Sequence, residues 1–183
     1  MKNMFLLTTI LLSFSCKAQQ TYPLNTDYET VPNYSYLKDT NNELIPYIGT
    51  WKANFNNREI ILKIDKVENY LIDYISKKFY QDTLFMRYSI KDTQGIIIKS
   101  TMNLIVQNSD IKSSTIFPNQ VLSFAYSGGG CNVGWGSISL RYVDTNHVKW
   151  SYYPNSTLTV NCPNSADTTI YLPETKDLVF TKQ

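Results

Sequence analysis

Few residues in this chain are of a type and spacing that could carry chemistry. The single histidine, His147, stands between Asn146 and Val148, and no Ser or Cys lies at the spacing a nucleophilic triad needs. Cys131 and Cys162 together with that histidine fall short of the four ligands a structural zinc site takes. The densest oddity is Ser127 to Gly136, which holds five of the seven glycines. It contains no Gly-Lys-Ser/Thr ending and precedes no helical pattern, which excludes a phosphate cradle; it has no serine between glycines at the spacing of a nucleophile elbow. The expectation is a wide hairpin loop pinned by Cys131, the alternative a ligand-gating loop at a barrel mouth with Trp135 as a contact. Carboxylates are scattered on outward strand positions, so any glycosidase-type pair would have to be assembled in three dimensions. The sequence assigns no catalytic residue, metal ligand or cofactor, and the chain is read as a non-enzyme.

The N-terminus is an address. Lys2 precedes the apolar run Met4 to Phe14, Ser15 is small, and Cys16 follows. This pattern predicts an export signal over residues 1–15, too short to span a bilayer, with Cys16 as the lipid-attachment residue of a bacterial lipoprotein. The rival reading is soluble secretion with cleavage after Ala18. In either case Cys131 and Cys162 remain as an even pair in an oxidising compartment, which is what one structural disulfide requires. No acidic run follows Lys17-Ala18-Gln19-Gln20, so the expected location is the outer membrane, facing the periplasm.

Composition excludes other partners. The chain has 17 Lys+Arg against 15 Asp+Glu, and losing Lys2 with the leader brings it closer to neutral. Nucleic acid would require a clustered basic face, and nothing polybasic follows the signal to hold a membrane electrostatically. Aromatic residues make up 14% of the chain, Tyr foremost, which suits a pleated surface.

The elements that must position these residues read as strands. Residues 16–42 carry Pro23, Pro32 and irregularly spaced tyrosines, and are expected to be a lipidated N-terminus and tether lying across the domain. From residue 43 to 183 the pattern alternates. Trp51, Ala53 and Phe55 share a face; so do Ile60, Leu62 and Ile64, and Leu84, Met86, Tyr88 and Ile90. Asn56-Asn57 reads as a hairpin turn, since Asn tolerates a left-handed backbone. Further runs are Ile96 to Val106, Val121 to Tyr126, Gly136 to Val143, His147 to Tyr153, Thr168 to Leu172 and Asp177 to Thr181, while Tyr70 to Phe79 could hold a helical turn. The expected fold is all-β: one antiparallel up-and-down barrel of about 8–10 strands, with a β-sandwich as the alternative. Trp51, Tyr88, Tyr126, Trp150 and Tyr152 would line its interior, either as core filling or around a ligand.

Two resemblances add to this reading. Gly49-Thr50-Trp51 resembles the first-strand signature of lipocalins, where the Trp plugs the closed end; the chain departs from that family in having no Arg on its last strand, where Lys182 is the nearest basic residue, and in placing Thr26-Asp27-Tyr28 before the Trp. The segments Val31 to Asp39, Glu43 to Trp51, Cys131 to Gly136 and Ile170 to Gln183, with the signal end Ser15 to Gln19, are similar to a family of uncharacterised exported proteins from flavobacteria and relatives. That resemblance implies location and a single domain, and no activity. Asp82-Thr83-Leu84 and Asp167-Thr168-Thr169 also match an acidic-Thr pattern of envelope O-glycosylation. The expected function is a lipid-anchored binding protein holding a small apolar ligand in the barrel at Trp51, Tyr88, Tyr126, Trp135 and Trp150. The alternative is an inhibitor-like interaction module with a filled barrel that contacts an envelope protein.

Overall fold

The computed structural model describes residues 18–155 and 162–183, so the leader and Cys16 lie outside the described residues. Its strands are β1 (Thr21–Pro23), β2 (Tyr36–Lys38), β3 (Gly49–Phe55), β4 (Arg58–Tyr74), β5 (Lys77–Lys91), β6 (Ile97–Ser100), β7 (Ile111–Phe117), β8 (Val121–Tyr126), β9 (Gly136–Asp144), β10 (His147–Pro154) and β11 (Thr175–Lys182). Eight of them, β3, β4, β5, β7, β8, β9, β10 and β11, form a closed antiparallel barrel in which sequence neighbours are spatial neighbours. This is the up-and-down, lipocalin-like barrel expected from the alternation. The Asn56-Asn57 turn has positive φ at both residues, as a tight hairpin requires.

Four elements depart from the sequence reading, the first being the run Ile96 to Val106, of which only Ile97–Ser100 is a strand. Residues 70–79, the possible helical turn, are instead the end of the β4–β5 hairpin, which runs past the barrel rim to Tyr74↔Lys77. A register shift between Val67 and Tyr70, with Asn69 at φ 52°, breaks the period of two and hides the strand. Strand β7 was not anticipated, because its buried positions are Ile111 and Ser113 and a bulge follows between Ser113 and Thr115. Residues 168–172, expected as a strand, form none; the last strand is Thr175–Lys182, after Leu172 and Pro173 turn inward.

The N-terminal segment is part of the fold. β2 pairs in parallel with β5 through Tyr36↔Tyr80 and Leu37↔Gln81, and β1 pairs in parallel with β2. Val31 and Leu37 join Ile72 and Phe79 in a second small core, with Tyr28 stacked on Phe79 at 5.1 Å. The segment read as a tether across the surface is thus docked on the hairpin extension by a ladder and a core of its own.

Candidate functional site

The five residues expected to hold a ligand separate into two groups. Trp51, Tyr88, Tyr126 and Trp150 all belong to the main core, with Trp51 and Trp150 at 0% exposure. Both indole N–H groups are occupied. Trp51 Nε1 donates to Tyr47 O at 2.8 Å, and Trp150 Nε1 to Pro173 O at 2.8 Å. Tyr152, packed against Tyr126 and Trp150, donates to Gly134 O. Burial raises the Tyr88, Tyr126 and Tyr152 hydroxyls above the ordinary phenol value, and pushes Tyr47 up to about 12. Trp135 is elsewhere: it sits 45% exposed on the glycine-rich loop. Five surface clefts are lined by other residues than these five.

Trp51, near the start of β3, is wholly buried. Lys182 Nζ lies over its ring, 5.1 Å from the centroid. Gly49 permits this: its φ is 134°, and a Cβ there would lie 3.0 Å from Lys182 Cε. The Tyr47 hydroxyl donates to Gln120 O at 2.7 Å and ties the entering chain to the β7–β8 turn. At the opposite end of the strands the Cys131–Cys162 disulfide ties the loop after β8 to Cys162, with Cα atoms 5.8 Å apart. Gly130 packs so closely beneath that a Cβ would lie 2.5 Å from Asp167 O. Asp167 accepts from the Thr169 backbone N–H, Tyr171 and Lys99, which hold its carboxyl down at about 2.

A buried charged cluster lies at the foot of the barrel. Lys66 Nζ is 3.3 Å from a carboxylate oxygen of both Asp39 and Asp82. Asp82 accepts from the Tyr36 hydroxyl and from the backbone N–H of Asp39 (3.0 Å) and Asn69 (3.2 Å); Asp39 accepts from the N–H of Glu43 (2.7 Å) and Leu44 (3.2 Å). Burial pushes the Asp82 carboxyl up, but those hydrogen bonds and the Lys66 charge outweigh it and hold it below its ordinary value. Both carboxylates are committed to these donors, so the cluster acts as a clasp that fastens residues 36–44 to β4 and β5. Its signal was present in the sequence: Lys66 continues the inward parity of Ile60, Leu62 and Ile64, and Asp82 that of Leu84 and Met86. Opposite charges at inward positions of two neighbouring strands are expected to meet. Thr83 beside it is fully buried, its hydroxyl donating to Gln81 O at 3.3 Å, which closes that O-glycosylation position in the folded chain; Thr168 is exposed.

His147 opens β10, its Nδ1 2.9 Å from Asp144 Oδ1 and its side chain 41% exposed. Among the described residues no group of three or more His, Cys, Asp or Glu could hold a metal, and no helix is long and apolar enough to cross a membrane.

Two features remain open to a partner. A cleft of about 300 Å³ lies between residues 24–28 and β7–β8, with Leu24, Leu44 and Leu122 at its base and Tyr28 and Tyr74 on its wall. In the excursion between β5 and β7, Ile96, Ile97, Ile98, Leu104 and Ile105 are each exposed. The profile of a family of unknown function (DUF6705) matches residues 1–183. The chain belongs to that family. Neither curated proteins nor solved structures supplied a match. Membership thus brings no activity with it, and the reading of function rests on the barrel itself.

Proposed function

We propose that this chain is an exported interaction module: a solid β-barrel, lipid-anchored through Cys16 to the outer membrane and facing the periplasm, that grips another envelope protein with its outer wall. The observation that carries this reading is the interior. Trp51, Trp150, Phe124 and Phe180 are wholly excluded from solvent, and both indole N–H groups are bonded to backbone carbonyls. A barrel packed in this way leaves its surface as the place of contact.

The surface favoured is the β6 cluster. Among the described residues β6 pairs with β5 alone, so its second edge offers backbone groups to an added strand. Ile97 and Ile98 flank that edge with apolar side chains that a monomer would ordinarily replace with charge. A photo-crosslinking side chain at Ile97 in the producing cell is expected to trap one discrete protein adduct, which Ile98→Lys abolishes and which the same side chain at Asn57 does not give. Equal labelling from both positions, or none from Ile97, would refute the assignment.

The cleft beside Leu24 supports a second reading, a small apolar ligand held outside the barrel. Its volume of about 300 Å³ is at the lower bound for such sites. Native mass spectrometry of the purified protein would then show a retained molecule that Thr115→Trp, on the rim, displaces.

A further inference from the structure

The pole opposite β6 is built by the hairpin extension and the beginning of the described chain. Parallel pairing brings them together: Gln19 Nε2 donates to Tyr34 O at 3.1 Å, and Tyr34 N donates to Lys78 O at 2.7 Å. Lys78 lies one residue beyond the Tyr74↔Lys77 pair that closes the hairpin around Ile75 and Ser76. The chain therefore enters the domain at this tip.

The tip is apolar where a turn would ordinarily be polar. Ile75 is fully exposed, and Tyr74 and Tyr34 are each about half exposed, at 49% and 55%. The Tyr74 ring packs on Tyr28 at 5.6 Å and on Phe79 at 6.1 Å. Charge does not dominate it. Lys78 is paired with Asp73 at 2.7 Å, and Lys77 donates to the carbonyls of Glu29 and Val31. An exposed branched aliphatic flanked by tyrosines, with lysines set back, matches the water–lipid boundary, where tyrosine places its ring among acyl chains and its hydroxyl among headgroups.

We propose that this tip docks on a lipid bilayer, with Ile75, Tyr74 and Tyr34 entering the headgroup boundary and β6 held roughly 45 Å away along β5. The idea rests on the proposed Cys16 anchor only for the choice of membrane. A second contact beside an acyl attachment would turn a flexible anchor into a fixed orientation.

The test uses the exported full chain carrying Cys16→Ser, which removes acylation, and vesicles of phosphatidylethanolamine and phosphatidylglycerol. Flotation is expected to fall about tenfold on Ile75→Asp, to stay unchanged on Ile105→Asp in the β6 cluster, and to change little with salt. Equal partition of Ile75→Asp and its parent, including none for either, overturns the proposal. In the wild-type chain on the same vesicles, a fluorophore on Ile75→Cys should be quenched by acyl-chain nitroxides and one on Thr93→Cys should not; equal quenching also overturns it. An intact mass showing no acyl group on Cys16 would remove the anchor while leaving the tip's partition as measured. A crosslinked protein at Ile75 in place of lipid quenching would reassign the tip to a protein partner and overturn the bilayer assignment.

Discussion

Trp150→Ala separates a filled barrel from a hollow one. The Trp150 ring is wholly buried, 6.0 Å from the Tyr152 ring and 5.8 Å from Phe180, and its Nε1 donates to Pro173 O at 2.8 Å. In a packed core, truncating Trp to Ala costs about 3–5 kcal/mol through lost transfer energy and the cavity left behind. For a chain of this size each kcal/mol lowers Tm by about 2–4 °C, so the expected fall is roughly 10–15 °C. Trp150→Phe keeps most of the ring volume and loses the hydrogen bond, leaving the Pro173 carbonyl unpaired at a cost of about 1–3 kcal/mol. Its fall should be smaller. The vacated space, on the order of 150 Å³, is of the size that stays dry and admits a small aromatic molecule, so added indole should restore part of the Tm of Trp150→Ala by returning both the ring and the N–H donor. The assay is thermal unfolding with the disulfide kept oxidised. A fall below about 4 °C for Trp150→Ala would mean that the ring faces open space, and the filled-barrel reasoning would be wrong.

Two further outcomes follow from the clasp and the disulfide. The Asp82 carboxyl is held below its ordinary value in the fold, so its contribution is complete above the unfolded value near pH 4 and lost as pH falls through the folded one. Hydrogen exchange of residues 18–42 should therefore accelerate below about pH 4 before the barrel strands do, and Asp82→Asn should show the same loosening at neutral pH; unchanged exchange in Asp82→Asn would show that the clasp does not hold the segment. The Cys131–Cys162 bridge spans a sequence separation of 31. Closing such a loop contributes about 3–4 kcal/mol, so the double Ala variant should melt roughly 10 °C lower, and a shift within about 3 °C would assign the bridge no role in stability.

The barrel was legible because its inward positions are apolar at a period of two. In strands such as β3, the first half of β4 and β10 the buried positions alternate, as in Trp51-Ala53 and Val148-Trp150-Tyr152, and the turn after β3 carries Asn56-Asn57. Trp51, Tyr88, Tyr126 and Trp150 fall on the buried face for the same reason, whereas Trp135 does not, and alternation cannot tell a side chain that lines a space from one that fills it. That distinction depends on how rings from opposite walls meet, as Trp150 does with Phe180. The N-terminal segment was illegible in a different way. Its strands are three residues each and parallel to the hairpin, so neither has a hairpin turn to announce it, and its clasp joins residues 27 and 43 positions apart in sequence.

The far edge of β5 explains why that segment is needed. Along this one edge β5 meets β2 at Tyr80 and Gln81, β7 at Phe85 alone, and β6 from Ser89 to Lys91. A single ladder pair is a poor way to close a barrel, and the structure supplements it with side chains. Ser113 Oγ accepts from Leu84 N at 2.9 Å, Ser109 donates to Met86 O, and Arg87 donates to Met102 O and Leu104 O at 3.0 Å each. Ser113 costs β7 its apolar signature, and together with Ser109 it bridges the seam. On either side of it, β2 and β6 cover backbone groups that β7 does not reach. The clasp and the β6 excursion are thus two ends of one solution to closure: one turns the chain's entry toward the hairpin tip, and the other leaves an apolar edge at the opposite pole.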